Sequence, residues 1–353
     1  MAKTYKDLFP CIVDFENLYR AFLAARRNKR YRTEVLSFTS NLEENLIQLQ
    51  NELLSGTYRT GPYRFFKVYE PKERVVAALS FRDRVVQHAI MAIIEPVWEP
   101  RFIFDSYACR VGKGAHAGAD RIQYLIRRVR RTHGVSCVLK GDVAKYFPSI
   151  DHGILKRLIR RRIACSRTLS LLDEIIDSTA VIGDLAPKGL PIGNLTSQLF
   201  ANIYLHELDM FVKHGLRERF YVRYMDDFVV VHHDKAHLHL VRRRIEEFLW
   251  DQLRLLTNRK TQVFPVQIHN GRALDFLGYR IWPSHRRLRK DSVKRMQRKL
   301  IKLEKAYACG LIDLNRISAS IQSWLSHAGH ADTYHLRSKL LGSVSFQRHI
   351  EFQ

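Results

Sequence analysis

The sequence predicts an α+β fold, and three observations carry that prediction. Residues 222–231 set two adjacent aspartates, Asp226 and Asp227, between runs rich in Val, Tyr and Phe, the pattern of a β-hairpin with carboxylates at its turn. Several segments repeat apolar residues at helical spacing, Leu42, Leu46, Leu49 and Leu53 among them. A length of 353 residues with 46% hydrophobic and 27% charged content is ordinary globular composition, enough for two or three subdomains.

Taken in order, residues 15–54 read as helical, closed by Ser55 and Gly56. Residues 63–70 and 74–79 read as two strands joined by the turn Pro71-Lys72-Glu73. Ser80 suits the N-cap of a helix whose apolar face is Val85, Val86, Ala89, Ile90 and Ile93, ending near Pro96. Gly112, Gly114 and Ala117 imitate a dinucleotide fingerprint, but Arg and Lys fill the region where that unit needs an acidic residue. A basic loop approaching a phosphate backbone suits these residues better. Residues 123–131 read as a basic helix and 138–143 as a short strand carrying Asp142. Asp151 reads as an N-cap rather than a reacting group, because Ile154, Leu155, Leu158 and Ile159 follow it. Residues 187–193 form a breaker-rich loop feeding a helix that begins near Asn194 or Thr196 and runs through Leu208. After the aspartate hairpin come a helix over 237–253, a strand over 261–266 and a second hairpin over 274–282. Ten of the 20 residues in 286–305 are Lys or Arg, while Val293, Met296, Leu300 and Leu303 mark one helix with a basic outer face. A further helix presents Ile317, Ile321, Trp324 and Leu325, and a subdomain boundary falls near Pro283.

Lys and Arg number 59 against 35 Asp and Glu, a formal charge of +24. Such an excess points to a polyanionic partner, nucleic acid ahead of an anionic membrane surface. Cys11, Cys109, Cys137, Cys165 and Cys309 are odd in number, widely spaced and without a CxxC pair, which fits reduced thiols rather than disulfides or a zinc site. Residues 1–14 hold no apolar core of signal-peptide length, and the apolar run 89–94 falls far short of the roughly 20 residues a membrane helix needs. The expectation is a soluble cytoplasmic protein with no membrane partner. His232, His233, His237 and His239, beside Asp234, read as solvated side chains rather than a transition-metal site, and no GxSxG or Cys-His pairing marks nucleophilic catalysis.

The two aspartates repel unless neutralised. A hard divalent cation does so most simply, since Mg²⁺ takes one or two carboxylates plus substrate phosphates. A solvated Asp-Asp turn is the plain alternative for these residues taken alone. Nucleotidyl transfer uses two metal ions about 3.5–4 Å apart, held by carboxylates on adjacent strands. Asp142, Asp226 and Asp227 supply that set if their strands are neighbours in an antiparallel sheet. With a basic body, a polymerase is then a plausible reading.

Over nearly the whole chain, about residues 60–340, the order and wording of these segments resemble a reverse transcriptase. Asp142-Val143-Ala144-Lys145-Tyr146-Phe147 resembles the first palm motif, and Tyr224-Met225-Asp226-Asp227 the YxDD motif. Asn258 with Lys260-Thr261 is similar to the N-x-K-T segment, and Phe276-Leu277-Gly278-Tyr279 to the hairpin that grips the primer. The resemblance implies a right-hand polymerase fold: fingers over 1–135, a palm strand over 136–151, connecting helices over 152–185, the rest of the palm over 186–284 and a short basic helical thumb over 285–353. It implies two Mg²⁺ ions, with Mn²⁺ as a substitute, held by Asp142 and Asp226 with Asp227 in support and the Val143 carbonyl completing one shell. Phe147 would be the aromatic gate beneath the sugar that excludes a 2′-hydroxyl and selects dNTPs. Lys72 and Arg74 would meet the triphosphate, Arg suiting bidentate phosphate contact, and Lys260 would protonate the departing pyrophosphate. The residues alone also admit a core aromatic at 147, solvated turn charges at 72 and 74, and a surface lysine at 260. Arg286, Arg287, Arg289, Lys290, Lys294, Arg295, Arg298 and Lys299 would line a channel for template RNA and the cDNA primer. The chain would leave no room after the thumb for an RNase H, maturase or endonuclease domain.

One segment departs from the common family pattern. Residues 190–198 carry Ile192 where Gln is usual and Gln198 where Pro is usual, both at the expected dNTP site. Ile192 cannot hydrogen-bond the incoming nucleotide, so fewer geometric checks act on the nascent pair and fidelity should fall. This IGxxxSQ segment and residues 323–333 resemble the reverse transcriptases of diversity-generating retroelements, within the group II intron-like superfamily. That resemblance implies copying of a template-repeat RNA with misincorporation at adenines, diversification of a target gene, and a small accessory variability protein as partner. Another group II intron-like or phage-defence reverse transcriptase is the alternative. A different class, an RNA-binding scaffold with a dead polymerase fold, is opposed by the intact Asp142, Asp226 and Asp227.

Overall fold

The computed structural model describes residues 3–69, 73–179, 186–269 and 271–348. After a short helix α1 (Phe9–Val13), the helical stretch expected over 15–54 divides into α2 (Phe15–Ala25), α3 (Thr33–Ser40) and α4 (Leu42–Ser55). Asn28, at φ +61, turns the chain between α2 and α3, a conformation Asn tolerates better than most side chains. Gly56 ends α4 in the left-handed conformation, φ +74. β1 (Arg64–Val68) and β2 (Arg74–Ala78) pair antiparallel, with Val68 opposite Arg74. Lys72, expected in a turn after residue 70, lies outside the described residues. Ser80 caps α5 (Phe81–Trp98) by accepting the Asp83 N–H. Pro96 sits inside its last turn, where a missing N–H removes one bond only, so the helix outruns the expected end by two residues.

Next come α6 (Ala115–His133), which starts at the glycine loop rather than at 123, then β3 (Cys137–Asp142) and α7 (Tyr146–Ser149). Asp151 caps α8 (His152–Arg160), accepting the Ile154 N–H at 3.0 Å. The chain continues through α9 (Ser166–Asp177), α10 (Leu195–Met210), β4 (Tyr221–Tyr224), β5 (Asp227–His232), α11 (Lys235–Leu253) and β6 (Gln262–Pro265). It closes with β7 (Leu274–Phe276), β8 (Tyr279–Ile281), β9 (Arg286–Leu288), α12 (Lys290–Ala308), α13 (Leu314–Ala328) and α14 (Tyr334–Gly342).

The central sheet runs β4-β5-β3-β6, each pair antiparallel. Strand side chains alternate, so Leu139, Tyr221, Phe228 and Val230 join a core with α10 and α11, while Val138, Val222, Val229 and Val231 join one with α6 and the sheet β7-β8-β9. Burial on both faces explains the unbroken apolar runs in β3 and β5. Gly141 stands opposite Phe228, and a Cβ there would fall 2.1 Å from the ring. Only glycine lets that ring lie across the strand.

The basic segment 286–305 is not one helix. Residues 286–288 form β9, which places Leu288 opposite Tyr279, and α12 begins at Lys290. Leu288 is the apolar residue of an Arg-rich run, and an extended backbone buries it while turning its neighbour Arg287 outward. Among the described residues, no helix is long and apolar enough to cross a membrane.

Candidate active site

Antiparallel pairing of β3 with β5 sets Asp142 directly opposite Asp227. A two-residue loop, Met225-Asp226, joins β4 to β5. Met225 adopts φ +54, the positive value that a tight hairpin needs at its first loop position. The Asp226 carbonyl accepts the Val143 N–H at 3.3 Å, and the Asp142 carbonyl accepts the Asn258 N–H at 2.6 Å. Three segments far apart in sequence therefore meet at one end of the sheet. Lys260 belongs to the third: its N–H donates to Asn258 Oδ1 at 3.1 Å while its side chain is exposed.

The carboxylates at this edge are half-buried and crowded. The Asp226 carboxyl is raised from its ordinary value to about 6, by burial first, with its own backbone N–H pulling the other way and the charges of Asp142 and Asp227 adding to the rise. The Asp142 carboxyl lies within hydrogen-bonding reach of Asp226. Asp227 is raised too, first by burial, with Lys140 opposing and Asp142 adding to the rise. Such a site gains from a cation that offsets both burial and repulsion. The donors are hard carboxylate oxygens, which fits a divalent ion such as Mg²⁺. Among the described residues, no cluster of three or more carboxylate, imidazole or thiol groups makes a ready metal cage. At this edge water and substrate phosphates would supply the remaining ligands.

The other expected positions divide into those near this edge and those apart from it. Val143 is buried beside Asp142 and bridges Thr257. Phe147 lies on α7, packed partly into the core, with its carbonyl accepting the Leu190 N–H at 2.9 Å. That bond ties the first aspartate segment to the loop carrying Ile192. The Ile192 carbonyl accepts the Ala77 N–H at 2.8 Å, fastening the same loop to β2. Gly193 is held at φ +120, and a Cβ there would meet Val76 and the Ala77 carbonyl at 2.8 and 2.9 Å. Gln198 is exposed and lines a cavity of about 340 Å³ with Lys29, Arg32, Arg64, Arg84 and His88. Arg74 is exposed at the start of β2.

In the C-terminal part, Arg287, Lys290, Lys294, Arg295, Arg298 and Lys299 are exposed and form no ion pair among the described residues. Arg286 departs from the expected outward basic row. Its guanidinium pairs with Asp120 at 2.6 Å, donates to the His330 carbonyl and lies over the Tyr279 ring, with 11% of the side chain exposed. Arg289 pairs with Asp275. His233 stacks on His232 at the end of β5 and on His133, the His237 ring lies tilted against His232, and His237 pairs with Glu218 at 2.7 Å.

Sequence reasoning missed two supports of this edge. Gly141 is one; the other is Arg223, which is wholly buried and pairs with Asp209. The available signal was a guanidinium inside an otherwise apolar strand, since an unpaired charge does not survive there.

An antiparallel sheet with carboxylates at one end, flanked by helices and followed by a basic helical segment, is the arrangement of a right-hand nucleic-acid polymerase. The sequence matches the family described as Reverse transcriptase (RNA-dependent DNA polymerase) over residues 67–281. The chain belongs to that family, whose class of enzyme is the RNA-directed DNA polymerase. It is 30% identical over 272 residues to Protein YkfC of Escherichia coli (strain K12), covering 66% of this chain and 70% of that protein. It is 31% identical over 176 residues to the Group II intron-encoded protein LtrA of Lactococcus lactis subsp. cremoris, covering 48% of this chain and 28% of LtrA. The chain thus spans less than a third of LtrA's length. Among solved structures, a telomerase from Candida albicans in complex with a fragment of telomeric RNA aligns with a TM-score of 0.48 and 13% identity, over 82% of this chain and 56% of that one.

Proposed function

We propose that this chain makes cDNA on an RNA template by nucleotidyl transfer at the edge formed by Asp142, Asp226 and Asp227. The observation that carries the reading is the register of β3 on β5, which sets Asp142 opposite Asp227 and beside Asp226. Asp142 and Asp226 would hold two divalent ions, Mg²⁺ or Mn²⁺, with Asp227 in support and the Val143 carbonyl as a further ligand. When bound, such ions activate the primer 3′-hydroxyl and stabilise the departing pyrophosphate. The chain's own groups do the rest. Phe147 fences the sugar, Arg74 and Lys72 receive the triphosphate, and Lys260 delivers a proton to pyrophosphate. Arg287 and the exposed cations of α12 hold the template–primer through its phosphates. The fingers, palm and thumb boundaries expected from the sequence belong to this proposal.

The finer reading is error-prone synthesis for a diversity-generating retroelement, in company with a small accessory variability protein. It is supported by Ile192, whose apolar side chain offers no hydrogen bond on a loop whose backbone is fastened to β2. A second reading, an intron-type reverse transcriptase, is favoured by the likeness to LtrA. Primer extension on a defined RNA template, with the cDNA sequenced, tests both. Product from the wild type and none from Asp226→Ala supports the site; product from Asp226→Ala removes it. Errors gathered opposite template adenine support the mutagenic reading, and an even spectrum favours the intron-type one.

A further inference from the structure

The two residues of the catalytic loop are each held at their carbonyl oxygens. One hold is the Val143 N–H on the Asp226 carbonyl. The other comes from beneath the sheet: Arg223 Nη1 donates to the Met225 carbonyl at 3.0 Å. Arg223 has no exposed surface. Its Nε and Nη2 donate to the two oxygens of Asp209 on α10, both at 2.6 Å. Its Nη1 also donates to Asn202 Oδ1 on the same helix at 3.2 Å, while the Asn202 amide donates to the Ala108 carbonyl at 2.9 Å. The Tyr221 hydroxyl donates to Asp209 at 2.9 Å, completing the set around that carboxylate. The Arg223 backbone is fixed as well, donating to the Asp105 carbonyl and accepting the Tyr107 N–H, each at 2.9 Å.

Burying an ion pair is a poor way to gain stability, because well-packed apolar residues of the same volume do as well or better. What this pair has that apolar residues lack is direction. The guanidinium is a rigid fork whose orientation is set by Asp209 and Asn202, and its remaining reach ends on the loop that carries Asp226. Met225 occupies a backbone region that a non-glycine side chain holds only at a cost, one the surroundings must over-determine. We propose that Arg223, oriented by Asp209 and Asn202, is a positioning residue that holds the Met225-Asp226 loop in its reactive geometry. It acts through the loop carbonyl and touches no substrate. The proposal rests on the reading of Asp226 as a reacting-site residue.

The test uses the full chain with two variants and two readouts. Arg223→Met with Asp209→Leu replaces the pair by apolar groups of similar volume. Arg223→Lys keeps the charge but loses the fork. Hydrogen exchange of the 222–231 segment is followed in metal-free protein, and kcat and KM for dNTP are measured in primer extension. The double variant is expected to melt within a few degrees of wild type. Its loop exchange should rise about tenfold, the worth of one hydrogen bond to a loop carbonyl, and kcat should fall about 10²-fold, as displacement of reacting groups by an ångström does. KM should stay within about threefold, since no binding contact is removed. Arg223→Lys should show the same pattern in weaker form. If a well-folded double variant keeps wild-type loop exchange and kcat, the pair is structural filling and the proposal fails. A rise in KM at constant kcat fails it too. Should the double variant not fold, Arg223→Lys decides: wild-type exchange and kcat overturn the proposal, and fast exchange with reduced kcat supports it. A wild type inactive on RNA refutes the reaction assignment, whereas the exchange experiment still reports on the loop.

Discussion

The central sheet and the C-terminal helix α12 use charge in opposite ways. In the sheet, Arg223 is sealed from solvent and each of its contacts has a named partner. On α12, Lys290, Lys294, Arg295, Arg298 and Lys299 stand in solvent without an ion pair among the described residues. A paired, buried charge fixes the place of a neighbouring group. An unpaired, exposed row leaves its positive field available to a polyanion, at the mercy of salt. On the proposed reading the difference separates a region for geometry from one for grip, and each half makes its own predictions.

The largest effect should come from the acidic edge. Asp226→Ala should reduce cDNA synthesis below detection while RNA affinity, measured by filter binding, stays near wild type; loss of both together would erase the distinction between the two regions. Next is Gly141→Ala, which forces a methyl into the Phe228 ring. Overpacking of this kind typically costs about 1–3 kcal/mol, readable as a lower urea midpoint, and Phe228→Leu in the same chain should recover part of it. A smaller effect concerns pH. In metal-free protein the Asp226 carboxyl has its proton affinity raised to about 6. The native state therefore binds a proton that the unfolded chain, with a carboxylate value of about 3.9, releases earlier. This contribution to stability is full below about 4 and is lost as pH rises to about 6. Urea titrations across that window should show the slope, and Asp226→Asn should flatten it.

On the gripping side, Arg295→Ala, Arg298→Ala and Lys299→Ala combined should weaken RNA binding for all sequences alike. The slope of log affinity against log salt should become shallower by about 2, given roughly 0.7–0.9 per phosphate contact, with kcat on saturating template little changed. A large fall in kcat would mean that α12 also positions the reacting groups. The smallest effect is expected from Ile192→Gln, which should alter the error spectrum opposite template adenine while leaving synthesis rates within about threefold. Deep sequencing of the cDNA reads it directly.

The acidic edge was legible in the sequence because its signals are local. Asp226 and Asp227 sit between two apolar runs that can only be strands, and Asp142 ends a third. The supports beneath were not legible, because their partners come from other elements. Asp209 lies on α10 and meets Arg223 only once that helix is laid across the sheet, and Gly141 gains its meaning from Phe228 on the neighbouring strand. The start of the basic segment misled for another reason. Its composition suggested a helix throughout, yet burying Leu288 against β8 required three extended residues first. Arg286, read as a nucleic-acid contact, is turned inward by Asp120, a residue far away in the chain.

The clamp around residues 192 and 193 has a practical consequence for redesign. Ile192 contributes its carbonyl to β2 whatever side chain it carries, while Gly193 tolerates no Cβ beside Val76 and Ala77. A library confined to position 192 would therefore vary chemistry over an unchanged backbone. Diversity introduced one residue later would mostly yield misassembled loops.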